Sequence, residues 1–151
     1  MKKIAFFISA MWLFISSATF GQYSETSMVP ILNDAEDYLE EIKGETVTIV
    51  RMEFDLIFSD SPKTTYRDFY SHREYTVMAF GDSRSIADID VKILKYDGSQ
   101  WVDYLQDNSS KSMAKIVFTP PEDGSYRIDI EVFTFKEEYD RGHYGLIVYY
   151  K

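Results

Sequence analysis

Two aspartates set two residues apart, Asp88 and Asp90, are the clearest candidates for ion chemistry in this chain. Side chains alternate along a β-strand, so both carboxylates point to one side if the segment is extended. Calcium takes about six to eight oxygen ligands, mostly carboxylates and carbonyls. The pair is therefore a candidate calcium site, helped by Asp82, Asp97 or Asp123 from neighbouring loops. The alternative is that these carboxylates are solvated or pair with a nearby lysine or arginine.

Aromatic side chains form the second candidate. They make up 17% of the chain. Trp101 and Tyr104 come after an Asp-Gly pair at residues 97–98, which is typical of a hairpin. Exposed rings there would stack on sugar rings or hold an extended peptide. The alternative is that the rings fill the core, because a small domain needs large buried side chains. We predict a ligand surface at Trp101 and Tyr104, with their burial left open.

The residue types needed for the common catalytic sites are missing from the sequence. It has no cysteine, no G-x-S-x-G and no H-E-x-x-H, which excludes thiol nucleophiles and the usual serine-hydrolase and zinc-protease patterns. We expect a non-catalytic protein without a cofactor, apart from the candidate calcium ion at Asp88 and Asp90. The formal net charge is −9, so the chain repels phosphate backbones, and nucleic acid is not expected as a partner.

The elements that must position these residues are short strands. From residue 45 onward, apolar and polar residues alternate, and turn residues separate the runs. About seven or eight such runs predict an all-β fold, namely an antiparallel β-sandwich of jelly-roll type. Four alternating residues of the first strand are expected to be buried in it: Met52, Phe54, Leu56 and Phe58.

Two segments precede the strands. Residues 1–21 have a basic start, an apolar run and a small polar end, which is typical of a secretory signal peptide. The apolar run is shorter than the roughly 20 residues that span a membrane. Residues 22–44 contain a polar stretch and an amphipathic helix over residues 30–43, expected to pack on its own domain. We therefore expect the sandwich at residues 45–151, in the periplasm or secreted, without stable membrane insertion.

The strand motifs resemble those of the bacterial pre-peptidase C-terminal domain. The resemblance is carried, in order, by residues 75–80, 88–90, 97–98, 124–126 and 144–148. It covers about residues 45–151, here expected to be free-standing, and it implies a small non-catalytic sandwich that in some members holds calcium. The Tyr126 hydroxyl is expected to bond back across a strand corner, as tyrosines do in other sandwiches.

These observations predict a binding or accessory module that engages a surface polysaccharide or a protein partner in the envelope or outside the cell. The alternative is a structural or assembly component that contacts envelope proteins through its helix or a sheet edge. An exposed row of aromatic rings would favour polymer binding, whereas an exposed apolar helix face would favour assembly.

Overall fold

The computed structural model describes residues 27–151, and the predicted signal peptide at residues 1–21 lies outside the described residues. Within the described part, one helix precedes eight strands. The elements are α1 (Val29–Ile42), β1 (Thr48–Phe58), β2 (Lys63–Phe69), β3 (Tyr75–Gly81), β4 (Ile86–Tyr96), β5 (Trp101–Gln106), β6 (Met113–Phe118), β7 (Gly124–Phe135) and β8 (Arg141–Tyr150).

The strands form two four-stranded sheets, and all their pairings are antiparallel. Sheet A has the order β1-β8-β3-β6, and sheet B has the order β2-β7-β4-β5. Consecutive strands mostly lie in different sheets, so the chain crosses repeatedly between the layers, as in an eight-stranded jelly roll. The predicted all-β antiparallel sandwich is confirmed.

The core lies between the sheets and is built from alternating side chains. Ile89, Val91 and Ile93 of β4 are fully buried, as are Leu146 and Val148 of β8, and all five belong to one cluster. Burial of such side chains stabilises each of them by about 1.5–3 kcal/mol relative to exposure. This rigid interior fixes the strands that carry the surface described below.

Tyr126 marks a corner where the chain enters β7. Its side chain is fully buried, and its hydroxyl donates a hydrogen bond to the Glu122 carbonyl oxygen at 3.2 Å. The bond gives a partner to a hydroxyl that would otherwise lose its hydrogen bonds to water. The predicted tyrosine corner is confirmed.

Helix α1 covers the outer face of sheet A. Four helix residues are buried there, namely Ile31, Ala35, Tyr38 and Ile42. They share a cluster with four residues of β3 and β8, namely Met78, Phe80, Ile147 and Tyr149. The helix therefore packs on its own domain, as predicted. Within the described residues, no helix has both the length and the apolar character needed to cross a membrane.

Strand β1 departs from the expected burial pattern. Ile57 is fully buried in the core between the sheets, whereas Met52 and Phe58 are 42% and 37% exposed. Phe54 packs against the cluster beneath α1. The expectation that Met52, Phe54, Leu56 and Phe58 form one buried face is wrong. Since β1 is an edge strand, with apolar residues on both sides, the alternation did not show which side faces the other sheet.

Candidate functional site

Three aromatic rings meet on the outer face of sheet B, and we call them the aromatic row: Tyr66 of β2, Tyr96 of β4 and Trp101 of β5. The ring centroids of Tyr66 and Trp101 lie 5.4 Å apart, and those of Tyr96 and Trp101 lie 5.3 Å apart. Tyr66 is 58% exposed and Tyr96 is 46% exposed. Because β2 and β5 are the two edges of sheet B, the row brings together side chains from both edge strands.

A tight hairpin places two of these rings. Asp97 Oδ1 accepts hydrogen bonds from the backbone nitrogens of Ser99 at 2.8 Å and Gln100 at 2.9 Å. Gly98 has a φ of 99°, which suits a residue without a Cβ atom. Tyr96 pairs directly with Trp101 across the hairpin, so their side chains lie on one face. The predicted hairpin is confirmed.

Arg127 of β7 supports the row. Its guanidinium carbon lies 5.9 Å from the centroid of the Trp101 ring, within range of the attraction between a cation and a ring face. Arg127 Nη2 donates to Asp129 Oδ2 at 2.7 Å, and Asp129 Oδ1 accepts from Thr64 Oγ1 at 2.8 Å. This chain of contacts holds the guanidinium in place against the indole.

An open groove of about 440 Å³ adjoins the row at Tyr66. It is lined by Tyr66, Arg67, Asp68, Tyr70 and Ser125. The Ser125 hydroxyl donates to Asp68 Oδ1 at 2.5 Å. The groove therefore combines two aromatic side chains with a carboxylate and a hydroxyl, groups that hydrogen-bond polar ligands.

The two predicted ligand residues do not share a surface. Trp101 belongs to the aromatic row, but Tyr104 turns inward, with its ring centroid 6.1 Å from that of Phe118 and 6.0 Å from that of Tyr126. Residues three apart on a strand point to opposite faces, which corrects the expected pairing of Trp101 with Tyr104. A ligand role for Trp101 stays a prediction.

The sequence analysis did not single out Tyr66 and Tyr96 as partners of Trp101. Tyr96 lies just before the Asp97-Gly98 turn, so pairing across the hairpin was a signal that could have found it. Tyr66 comes from β2, which lies at the opposite edge of sheet B from β5. No local sequence pattern connects Tyr66 to Trp101, because the contact between their rings depends on the order of the strands in sheet B.

The predicted metal residues lie close together. Asp88 is 9% exposed, and its Oδ1 accepts a hydrogen bond from the Lys111 backbone nitrogen at 3.1 Å. Burial raises the pKa of Asp90, and the negative charges of Asp88, Asp107 and Glu131 raise it further. Several carboxylates therefore repel one another on this part of β4 and its neighbours.

The loop aspartates expected to help bind calcium are engaged elsewhere. Asp82 pairs with Arg84 at 2.6 Å, Asp97 accepts the hairpin hydrogen bonds, and Asp123 accepts from the Ser71 backbone nitrogen at 2.7 Å. Across residues 27–151, no three histidine, cysteine, aspartate or glutamate side chains are arranged to hold a metal ion. Calcium binding at Asp88 and Asp90 stays a prediction.

Comparison with protein-family models and with curated protein sequences finds no match. Solved structures do match. PliG from Aeromonas hydrophila, described as a periplasmic lysozyme inhibitor of g-type lysozyme, is 12% identical with a TM-score of 0.50, over 72% of this chain and 90% of that one. The pre-peptidase C-terminal domain of a collagenase from Bacillus anthracis is 12% identical with a TM-score of 0.49, over 65% and 87%.

A mitogen from Yersinia pseudotuberculosis is also 12% identical, with a TM-score of 0.49, over 67% of this chain and 84% of that one. At such low identity these likenesses concern the fold. The pre-peptidase C-terminal domain, which the strand motifs of this chain resemble, is thus among the solved structures that match.

Proposed function

We propose that the chain is a non-catalytic binding module, periplasmic or secreted, that holds a neutral carbohydrate polymer on the aromatic row. The row itself carries the proposal, since it places three touching rings on an outer sheet face, with Tyr66 58% and Tyr96 46% exposed. The Trp101 ring between them is half-buried, and adjoining exposed apolar side chains of this kind are typical of interaction sites. Sugars present both apolar ring faces and hydroxyl groups, so rings flanked by polar side chains suit them.

The charges around the row argue against nucleic acid, the other polymer that stacks on aromatic rings. Stacking platforms for single-stranded nucleic acid lie in positively charged grooves. Here Arg127 is paired with Asp129, Asp68 lines the adjoining groove, and the chain carries a net charge of −9. A phosphate backbone would be repelled.

Ion pairs near the row argue against a large protein partner at this surface. Arg127 pairs with Asp129, and Lys92 pairs with Asp103 at 3.6 Å. A standard protein interface covers about 800 Å² on each partner, so it would remove these pairs from water at a high desolvation cost. A single sugar chain would contact the rings and leave the more exposed pair, Lys92 and Asp103, in water.

Two further observations support a binding role over an assembly role. The apolar face of α1 is packed against sheet A, so it offers little surface for assembly through the helix. The fold also occurs in PliG, described as a periplasmic lysozyme inhibitor, and an inhibitor acts by binding. The proposal that the protein is non-catalytic rests on the catalytic motifs absent from the sequence. Its periplasmic or secreted location is supported by the predicted signal peptide at residues 1–21 together with this likeness.

Affinity gel electrophoresis tests the proposal. The purified protein should be retarded in a gel containing at least one of four neutral polysaccharides: hydroxyethylcellulose, xylan, glucomannan or laminarin. Trp101→Ala and Tyr66→Ala should each weaken that retardation about tenfold or more, because central aromatic contacts dominate binding energy. Phe133→Ala is the matched control, since Phe133 lies on β7 of the same sheet and is 74% exposed.

Near-ultraviolet circular dichroism would verify that each variant is folded. Migration unaffected by all four polysaccharides would contradict the proposal. Equal retardation of folded Trp101→Ala and wild type would contradict it as well, since the row would then contribute nothing.

A further inference from the structure

The groove between Tyr66 and Tyr70 continues the aromatic row along β2. Tyr66 belongs to both, because its ring contacts Trp101 and also lines the groove. Tyr66 and Tyr70 are four residues apart, which corresponds to about 13 Å along an extended strand. That distance exceeds one sugar ring, so a ligand lying over both must contain several units. The groove volume of about 440 Å³ falls within the range of roughly 300–1,000 Å³ seen for ligand sites.

The far end of the groove is held firmly. The Tyr70 backbone nitrogen donates to the Tyr75 hydroxyl at 3.2 Å, and Tyr75 is 2% exposed in the core. The Tyr70 ring lies 5.9 Å from the His72 ring and 5.2 Å from the Arg73 guanidinium. Tyr70 remains 42% exposed. It is thus a supported ring with a free surface, and a ligand would need little reorganisation to use it.

The groove also has a hydrogen-bonding side. Asp68 and Ser125 are both exposed, and their hydrogen bond at 2.5 Å joins β2 to β7. The carboxylate of Asp68 accepts hydrogen bonds from hydroxyl groups and repels ligand carboxylates or sulfates. Arg67 adds donors at the same groove. This combination favours a neutral ligand rich in hydroxyl groups.

We infer that the groove is a second subsite, so that one neutral oligosaccharide runs from Tyr96 and Trp101 over Tyr66 and ends against Tyr70. This inference rests on the proposed function, because it extends the same bound polymer. It adds three features that the row alone does not require. Affinity rises with ligand length, Tyr70 contributes only for longer ligands, and Asp68 selects against acidic ones.

Isothermal titration calorimetry tests the subsite with four series of two to six units: β-1,4-linked gluco-, xylo- and manno-oligosaccharides and β-1,3-linked gluco-oligosaccharides. For the series that binds, affinity should rise about tenfold or more between the shortest and longest ligands. Tyr70→Ala should remove most of that rise, so that its effect on affinity grows with ligand length, while Trp101→Ala should weaken binding at every length. Tyr139→Ala is the control, since Tyr139 is 43% exposed and does not line the groove.

Charge selectivity gives an independent measurement. Wild-type protein should bind carboxymethyl cellulose less well than hydroxyethylcellulose in affinity gels, and Asp68→Asn should narrow that difference, because the variant keeps an acceptor oxygen without the charge.

The two proposals fail in different ways. Affinity that depends on Trp101 but does not change with length or with Tyr70→Ala would overturn the subsite and leave the row as the site. A preference for neutral polymer that persists in Asp68→Asn would overturn the assigned role of Asp68. Absence of binding by all four series would overturn the subsite together with the proposed carbohydrate function.

Discussion

Gly145 of β8 is a position where one added methyl group tests how the layers of the protein pack. A Cβ atom at Gly145 would lie 2.4 Å from Cζ and 2.5 Å from Cε2 of Phe80, and 3.1 Å from Cε1 of Phe54. Contacting carbon atoms are normally separated by about 3.5–4.0 Å. The Phe80 ring would therefore have to move by roughly 1 Å to admit alanine.

Such a movement is costly because Phe80 is 2% exposed and lies in the cluster beneath α1. Overpacking of this kind destabilises a protein by about 1–3 kcal/mol. Replacement of glycine by alanine also lowers the entropy of the unfolded chain, which offsets about 0.4–1 kcal/mol. Gly145→Ala should thus lose up to about 2.6 kcal/mol, with a middle value of about 1.3 kcal/mol, which corresponds to a fall in Tm of about 4–7 °C for a domain of this size.

Urea unfolding followed by circular dichroism gives this free energy directly. Gly124→Ala is the control, because a Cβ atom there meets nothing within 4 Å, and it should be neutral or slightly stabilising. In a Phe80→Leu background, Gly145→Ala should cost at least about 0.5 kcal/mol less than in the wild type, since the clashing ring atoms are gone. If Gly145→Ala were as stable as Gly124→Ala, the close packing of Phe80 on β8 would be refuted.

Two further predictions concern carboxylates. Burial raises the pKa of Asp82, but hydrogen bonds from Arg84 and its positive charge outweigh burial and hold that pKa below its ordinary value. The stability from this pair is therefore present at neutral pH and is lost as the pH falls below about 4. Asp82→Asn should destabilise the protein by about 1–3 kcal/mol at pH 7, and urea titrations should show the difference from wild type shrinking at pH 3; a difference independent of pH would contradict this assignment. Asp90→Asn should raise the Tm at pH 7 without calcium, because it removes a carboxylate whose pKa burial and neighbouring charges raise. If Asp88 and Asp90 bind calcium, excess calcium should raise the Tm of wild type only, and an unchanged wild-type Tm would disprove that site.

Much of the architecture was predictable because it depends on local signals. The Asp97-Gly98 pair defined the β4–β5 hairpin, and the alternation of Ile89, Val91 and Ile93 gave the buried face of β4. The prolines and glycine before Tyr126 indicated the corner that its hydroxyl closes. In each case the residues that determine the structure lie within a few positions of one another, so the sequence displays the interaction directly.

The errors arose where burial depends on a layer distant in sequence. In β1, Phe54 is covered by the helix layer and Ile57 by the opposite sheet, so both sides of the strand carry apolar residues. Periodicity identifies two sides of a strand but not which layer covers each. Tyr104 was grouped with Trp101 as a ligand residue, although strand alternation places their side chains on opposite faces.

The candidate site was the least predictable part. Trp101 was found because it adjoins a recognisable turn, and Tyr96 could have been found in the same way. Tyr66 and Arg127 reach Trp101 from β2 and β7, and their arrangement follows from the strand order of sheet B. A tertiary topology must be known before such residues can be grouped.

Folding stability and the proposed ligand recognition depend on different layers of this protein. Strands β3 and β8 are almost entirely buried, between sheet B on one side and α1 on the other. The aromatic row instead lies on the solvent side of sheet B. Substitutions in the row therefore change side chains that contribute little to the stability of β3 and β8, the strands covered on both sides. A lineage with this arrangement could exchange its surface rings, and so acquire new ligands, while its scaffold stays above the threshold of stability needed to fold.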